Sequence, residues 1–154
     1  TITGSVSVDR SLIDSEHLII SSEGYYPEKI KLNTSDSYII NMTKLDQKYI
    51  LEDLLFDYDS YKLTESVRNF LFLYAQWLKQ NDDINISIEG HTDSVGSDNY
   101  NMILSENRAN EVLNFFVSEG IPKNRMKAIG FGNNIPVSEG YDGPKNRRIE
   151  ITVF

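Results

Sequence analysis

From about residue 49 to the C-terminus, apolar residues recur first at period two and then at steps of three and four, and few architectures accommodate that order. Residues 50–58 read as a strand. Thr64 then suits a helix N-cap, with Glu65 in the first turn, where an acidic side chain meets unpaired amides. Val67, Phe70, Leu71, Tyr74, Trp77 and Leu78 follow on one helical face, and Asn81-Asp82-Asp83 stops the helix. Ile84, Ile86 and Ile88 alternate with polar residues as the next strand, closing at Gly90. A second helix is expected over residues 97–118, with Leu104, Ala109, Val112, Leu113 and Phe116 as its core face and Gly120 and Pro122 ending it. Residues 126–132 form a strand candidate. After a turn-rich stretch holding Pro136, Gly140, Gly143 and Pro144, residues 148–154 alternate as the last strand. The order β-α-β-α-β-β predicts an α/β (α+β) sandwich, with two helices packed on one face of a mixed sheet.

Residues 1–48 carry a different signal. Ile2, Val6 and Val8 alternate with small polar residues, and residues 17–20, 29–32 and 37–40 are short runs rich in β-branched side chains. The expectation is a small antiparallel β unit of about four strands over 1–48, ahead of an α/β domain over 49–154. Tyr25 and Tyr26 fall in a turn-like segment and are expected to be exposed, available for a partner contact.

Charge narrows the function. With 15 basic residues against 23 acidic ones, the net charge of -8 excludes a nucleic-acid binder, which needs Lys and Arg to neutralise phosphates. Lys145, Arg147 and Arg148 are the one basic cluster, and they read as a solvated patch. The chain has no cysteine, so neither a disulfide nor a thiolate metal site can form. No apolar run reaches the roughly 20 residues that span a bilayer. The first residues lack the charged start and apolar middle of a signal peptide, so the chain reads as a soluble fragment whose targeting signal or anchor lies elsewhere.

The loop from Gly90 to Gly96 (Gly-His-Thr-Asp-Ser-Val-Gly) follows a strand and opens a helix, the position where α/β folds gather ligands. Both glycines are read as sharp bends around whatever occupies the crevice. Asn101, Ser105 and Arg108, spaced four and then three apart, share one side of the following helix, beside Leu104. An Arg at an apolar edge either reaches a carboxylate across the core boundary or waits for a ligand that carries one, which its planar fork can hold bidentately. Asp93 supplies the opposite sign, so the two would suit a zwitterion with ammonium and carboxylate on one carbon. The alternative is that Asp93 caps the helix or pairs with Arg108 in a purely structural salt bridge. His91, between Glu89 and Asp93, raises the question of a hydrolase or a metal. The chain holds only two histidines, its spacings match no zinc motif, and no nucleophile elbow occurs. Neither a catalytic residue, a metal nor a cofactor is expected, and His91 is read as shaping the loop. Trp77 and its helical neighbours are read as core rather than as a sugar-stacking surface.

Several stretches in one order resemble the OmpA C-terminal-like family of OmpA, Pal and MotB periplasmic domains. They are Phe56-Asp57-Tyr58-Asp59, the loop from Gly90 through Ser97, Tyr100-Asn101, and Leu104-Ser105-Glu106-Asn107-Arg108-Ala109. Gly120-Ile121, Gly130-Phe131-Gly132, Pro136 and Asn146-Arg147-Arg148-Ile149-Glu150-Ile151 complete the set, over about residues 50–154. The resemblance implies non-enzymatic binding of peptidoglycan through the diaminopimelate of its peptide stem. The chain would be the periplasmic, soluble part of an outer-membrane or lipid-anchored protein, tethering it to the cell wall. It assigns the ligand's amine and carboxylate to Asp93 and Arg108, and the pocket lining to Asn101, Thr92 and Leu104. Tyr58, Asp59 and Arg147 match further family positions. The segment Tyr141-Asp142-Gly143-Pro144-Lys145 is shorter than the family's usual loop there, which bears on the groove's rim. Residues 1–48 lie outside the resemblance. A rival reading keeps the fold and uses that N-terminal β unit to bind another envelope protein, and a second makes the chain a cell-wall hydrolase.

Overall fold

The computed structural model describes residues 17–31, 40–52, 56, 60–137 and 144–154. The backbone groups into two compact units, Thr1–Gln47 and Lys48–Phe154.

In the first unit, β1 (His17–Ile20) and β2 (Glu28–Lys31) pair antiparallel, with Leu18 opposite Ile30. The expected strand runs at residues 2–8 and 37–39 lie outside the described residues. Between β1 and β2 the chain is no free turn. Tyr25 bridges Lys44, the Tyr26 amide donates to the Thr43 carbonyl at 2.9 Å, and the Leu45 amide donates to Gly24. Bonded in this way, Tyr26 is fully buried and Tyr25 half-buried, which corrects the expectation of two exposed rings.

The second unit runs β3 (Tyr49–Glu52), α1 (Glu65–Gln80), β4 (Ile86–His91), α2 (Asp98–Ser118), β5 (Met126–Gly130) and β6 (Arg148–Val153). Its sheet has the order β3-β6-β4-β5. The crossover through α2 makes β4 and β5 parallel, and β6 lies antiparallel to both β3 and β4. Two helices on one face of a mixed four-stranded sheet is the architecture that the alternating periods predict.

Boundaries differ where tertiary bonds intervene. β3 ends at Glu52, and beyond it the described pairing is a bridge between Phe56 and Leu63. Ile84 stays out of β4 because its carbonyl accepts from Arg125 Nε at 3.0 Å and Nη2 at 2.7 Å. The same guanidinium reaches the carbonyls of Leu78 and Asn81, closing the C-terminal end of α1. Thr64 occupies the N-cap of α1 without a side-chain capping bond, whereas the Ser97 hydroxyl accepts from the Tyr100 amide at 3.2 Å and caps α2.

Ile86, Ile88, Ile149 and Ile151 on the sheet and Leu71, Val112 and Phe116 on the helices are all fully buried. The Tyr74 ring joins the two helices, 5.3 Å from Trp77 and 5.8 Å from Phe116, so these aromatics are core as expected. Leu104 is only half-buried, and the buried positions in the first half of α2 are polar instead, Asn101, Ser105 and Arg108, before Ala109, Val112, Leu113 and Phe116 continue the line as apolar core. The cause is close approach. A Cβ at Gly90 would overlap the Ser105 carbonyl oxygen, and one at Gly130 would lie 2.5 Å from the Glu106 amide nitrogen. With the helix backbone resting on the sheet, no bulky side chain fits between them. Gly90 is therefore a packing glycine rather than the bend the sequence suggested. Among the described residues, no helix is long and apolar enough to cross a membrane.

Candidate functional site

The end of β4 is tied to the segment after β5 and to α2 by a short series of bonds. The Phe131 amide donates to Gly90 and the Thr92 amide to Gly132, both at 2.9 Å. The Gly132 amide donates to Ser105 Oγ at 2.8 Å, and that hydroxyl donates to the Met102 carbonyl. Three segments thus converge behind the loop 92–97. Gly96, at φ +100°, turns the chain into α2 in a conformation that side-chain-bearing residues rarely adopt.

Asp93 stands in this loop with little exposure. Its Oδ1 accepts from the Val95 amide at 3.1 Å, and its Oδ2 accepts from Arg147 Nη1 at 2.9 Å. The capping alternative for Asp93 is thereby overturned, because Ser97 does that work and Asp93 closes a local turn. Arg147 comes from the strand end just ahead of β6 and keeps 38% of its side chain exposed. Reading Lys145, Arg147 and Arg148 as one solvated patch fails for two of the three. Arg147 is paired with Asp93, and Arg148 is buried against Glu150, because the strand end turns them towards different carboxylates.

Arg108 is buried at 7% exposure, with Nε donating to the Ser60 carbonyl at 3.0 Å and the guanidinium 5.0 Å above the Phe56 ring. In the sequence Phe56 stands out only as part of the matching stretch at 56–59, with no role, and Ser60 does not stand out. Their part depends on the chain returning over α2, which no spacing reveals. Asn101 and Thr92 are buried too, and among the described residues Asn101 Nδ2 and Thr92 Oγ1 have no hydrogen-bond partner. Orphaned polar atoms at such depth are rare in native proteins and cost stability unless something meets them. Leu104 supplies a half-buried apolar neighbour on the same helix. Tyr58 and Asp59 lie outside the described residues. The arrangement offers a carboxylate, two guanidinium groups, an amide donor and a hydroxyl at the edge of an apolar core, a set suited to recognising a small charged ligand.

The face of the sheet turned away from the helices carries a second cluster. Glu89 and Glu150 stand opposite each other in the register, as do His91 and Arg148. Lys48 Nζ lies 2.9 Å from Glu89 and 2.6 Å from Glu150, while Arg148 holds the other Glu150 oxygen at 2.6 Å. Burial pushes the Glu150 carboxyl up, but the hydrogen bonds from Lys48 and Arg148 outweigh it and leave the group below its ordinary value. Lys48 is raised above its own ordinary value by its hydrogen bonds to Glu150 and then Glu89, against its partial burial. His91 is buried, stacked on Phe131 at 5.4 Å, and has no hydrogen-bond partner at either ring nitrogen among the described residues. Burial first, and the Arg148 charge second, lower it to about 4, against the pull of Glu150. Glu89, His91 and Glu150 bring ligand atoms close enough together to hold a metal. The Lys48 ammonium already lies between the two carboxylates and supplies the cation that pair needs, so we read the group as an ion cluster.

Residues 55–150 match the OmpA family model. The chain is 39% identical over 105 residues to outer membrane porin F of Pseudomonas aeruginosa, covering 66% of this chain and 30% of that protein. It is 39% identical over 85 residues to the peptidoglycan-associated lipoprotein of Brucella melitensis, covering 55% of this chain and 51% of that one. This chain thus spans about a third to a half of the length of these relatives. Among solved structures, the peptidoglycan-associated lipoprotein from Burkholderia pseudomallei superposes with a TM-score of 0.62 at 31% identity, over 68% of this chain and 91% of that one. A family match over more than half the chain, relatives at 39% identity and a shared fold lead to one conclusion: this chain belongs to the OmpA family.

Proposed function

We propose that the unit beginning at Lys48 binds peptidoglycan without catalysis, through the diaminopimelate of the peptide stem, and so anchors an envelope protein to the cell wall from the periplasmic side. The carrying observation is the set at the end of β4. There a buried carboxylate (Asp93) stands in the loop that opens α2, and a buried arginine (Arg108) lies two turns beyond Asn101 on that helix, with two buried polar atoms, on Thr92 and Asn101, that lack partners among the described residues. Diaminopimelate ends in an ammonium and a carboxylate on one carbon, which answers that pair of charges. Membership of a family whose relatives include proteins named peptidoglycan-associated supports peptidoglycan as the polymer. Arg147, already on Asp93, would share the carboxylate with the ligand's amine or give way to it, and Leu104 would pack against the ligand's chain. Tyr58 and Asp59 are proposed to line the same groove.

A bidentate Arg contact and an Asp contact each contribute about 1.5–3 kcal/mol before ordering costs, so one site binds modestly, and many sites along one polymer add avidity. The test is calorimetric titration of a diaminopimelate-containing stem peptide into the parent, Asp93→Ala and Arg108→Ala. Binding by the parent, lost in both variants and most completely in Arg108→Ala, supports ligand and site together. Equal binding by Arg108→Ala sinks the site. A folded parent that binds nothing sinks the ligand.

A further inference from the structure

The ion cluster lies on the strands that lead into the candidate site: β4 ends at His91, two residues before Asp93, and β6 begins at Arg148, next to Arg147. Burying Arg148 and Glu150 costs solvation that their attraction need not recover, so their stability alone is a weak reason for the arrangement. What they hold is specific. Besides Glu150, Arg148 reaches the Ile135 carbonyl with Nη2 at 3.1 Å and the Asn146 carbonyl with Nη1 at 3.4 Å. Asn146, itself buried, accepts from the Val137 amide at 2.9 Å. Arg147 therefore lies between two anchored neighbours, with its guanidinium 2.9 Å from Asp93. On the opposite side, Lys48 links Glu150 to Glu89, on the strand that runs on into the Asp93 loop.

We propose that Glu150 is the positioning residue of the ligand site: through Arg148 its carboxylate fixes the strand end that presents Arg147 to Asp93. The proposal rests on reading the Asp93 region as the wall-ligand site. The charged and titratable described groups facing Glu150 are Arg148 on β6, Glu89 and His91 on β4, and Lys48 ahead of β3; Glu52 stands opposite Arg148 in the register. Because Lys48 is one of the two groups that hold the Glu150 carboxyl charged, removing it moves protonation of Glu150 to higher pH.

Two variants test this, and both leave Asp93, Arg108 and Arg147 in place: Glu150→Gln and Lys48→Met. Nitrogen-15 relaxation of the Arg147 guanidinium, in the ligand-free chain across pH, reads its order directly. Calorimetry with the stem peptide across the same pH range reads the consequence. In Glu150→Gln, Arg147 becomes mobile at neutral pH and binding weakens about tenfold, the scale on which supporting contacts act on a site. In Lys48→Met, Arg147 and binding stay close to the parent at neutral pH, and both are lost on acidification at a higher pH than in the parent. A merely structural Glu150 would lower stability without moving that profile. The proposal is overturned if Arg147 stays as ordered in Glu150→Gln as in the parent, or if the Lys48→Met profile coincides with the parent's. Should Glu150→Gln fail to fold, the Lys48→Met profile decides. Should the parent bind no stem peptide, the wall reading fails, while the Arg147 relaxation still settles the positioning.

Discussion

The two faces of the sheet solve the problem of burial in opposite ways. Towards the helices, β4 and β6 present Ile86, Ile88, Ile149 and Ile151, while β4 at Gly90 and β5 at Gly130 present nothing, so that α2 can rest on the sheet. Towards the other side the same strands bury Arg148, Glu150 and His91, held by charge and by a stacked ring. The first face draws its stability from shape and tolerates no added volume. The second depends on every charge having its partner, and so it responds to pH. Each face bears on the candidate site: α2, packed on one, carries Arg108 and Asn101, and at the end of the other Arg147 meets Asp93.

Substitutions can break that contrast, starting with the largest effect. Gly90→Val drives a side chain into the α2 backbone at Ser105, where no rotamer relieves it; the expected loss exceeds about 4 kcal/mol, and circular dichroism should show no cooperative unfolding. Arg148→Ala on the other face leaves Glu150 buried with Lys48 alone and should cost about 3–5 kcal/mol in urea unfolding. The double variant Arg148→Met/Glu150→Leu should recover most of that loss, since an apolar pair of similar volume needs no solvation. If the double variant is no more stable than Arg148→Ala, the charges themselves are required.

Acid probes the second face alone. His91 is lowered from its ordinary value of 6.5 to about 4, so the fold keeps it neutral and the unfolded chain takes up the proton first. Its contribution is whole above about pH 6.5 and falls as pH drops towards 4. Between pH 7 and pH 4.5 that amounts to about 2 kcal/mol. His91→Phe keeps a ring against Phe131 and removes the titration, so its stability should fall less over this range. Parallel curves for parent and variant would remove His91 as the cause. The smallest effect belongs to Lys48→Met. Its side chain is 49% exposed, and its ion pairs should contribute less than about 1 kcal/mol to unfolding. A large loss would mean that this second face is stabilised from Lys48 at its rim and not from Arg148 and Glu150.

Much of the second unit was legible because its signals are local. Period, the expected start at Ser97 and the Asn81 stop mark α1, α2 and the succession of strands along the chain to within a few residues, although Thr64, the cap the sequence suggested, makes no capping bond. The places where local reading failed are those where another segment supplies the bond. Ile84 leaves β4 for Arg125, Tyr26 is drawn inward by Thr43, and Leu104 yields the inner line of α2 to Ser105 because two glycines bring the backbones together.

The candidate site divides along the same line. By itself the sequence determined the fold class, the loop that carries Asp93 and the polar stripe of Asn101, Ser105 and Arg108, since each depends on spacing within one element. Only the tertiary structure decided that Asp93 meets Arg147, 54 residues away, that Arg108 lies over Phe56, and that Lys48 bridges Glu89 and Glu150. Those partners are set by strand register and by how closely a helix approaches a sheet. Both are properties of chain segments meeting in space, and no period within one segment encodes them.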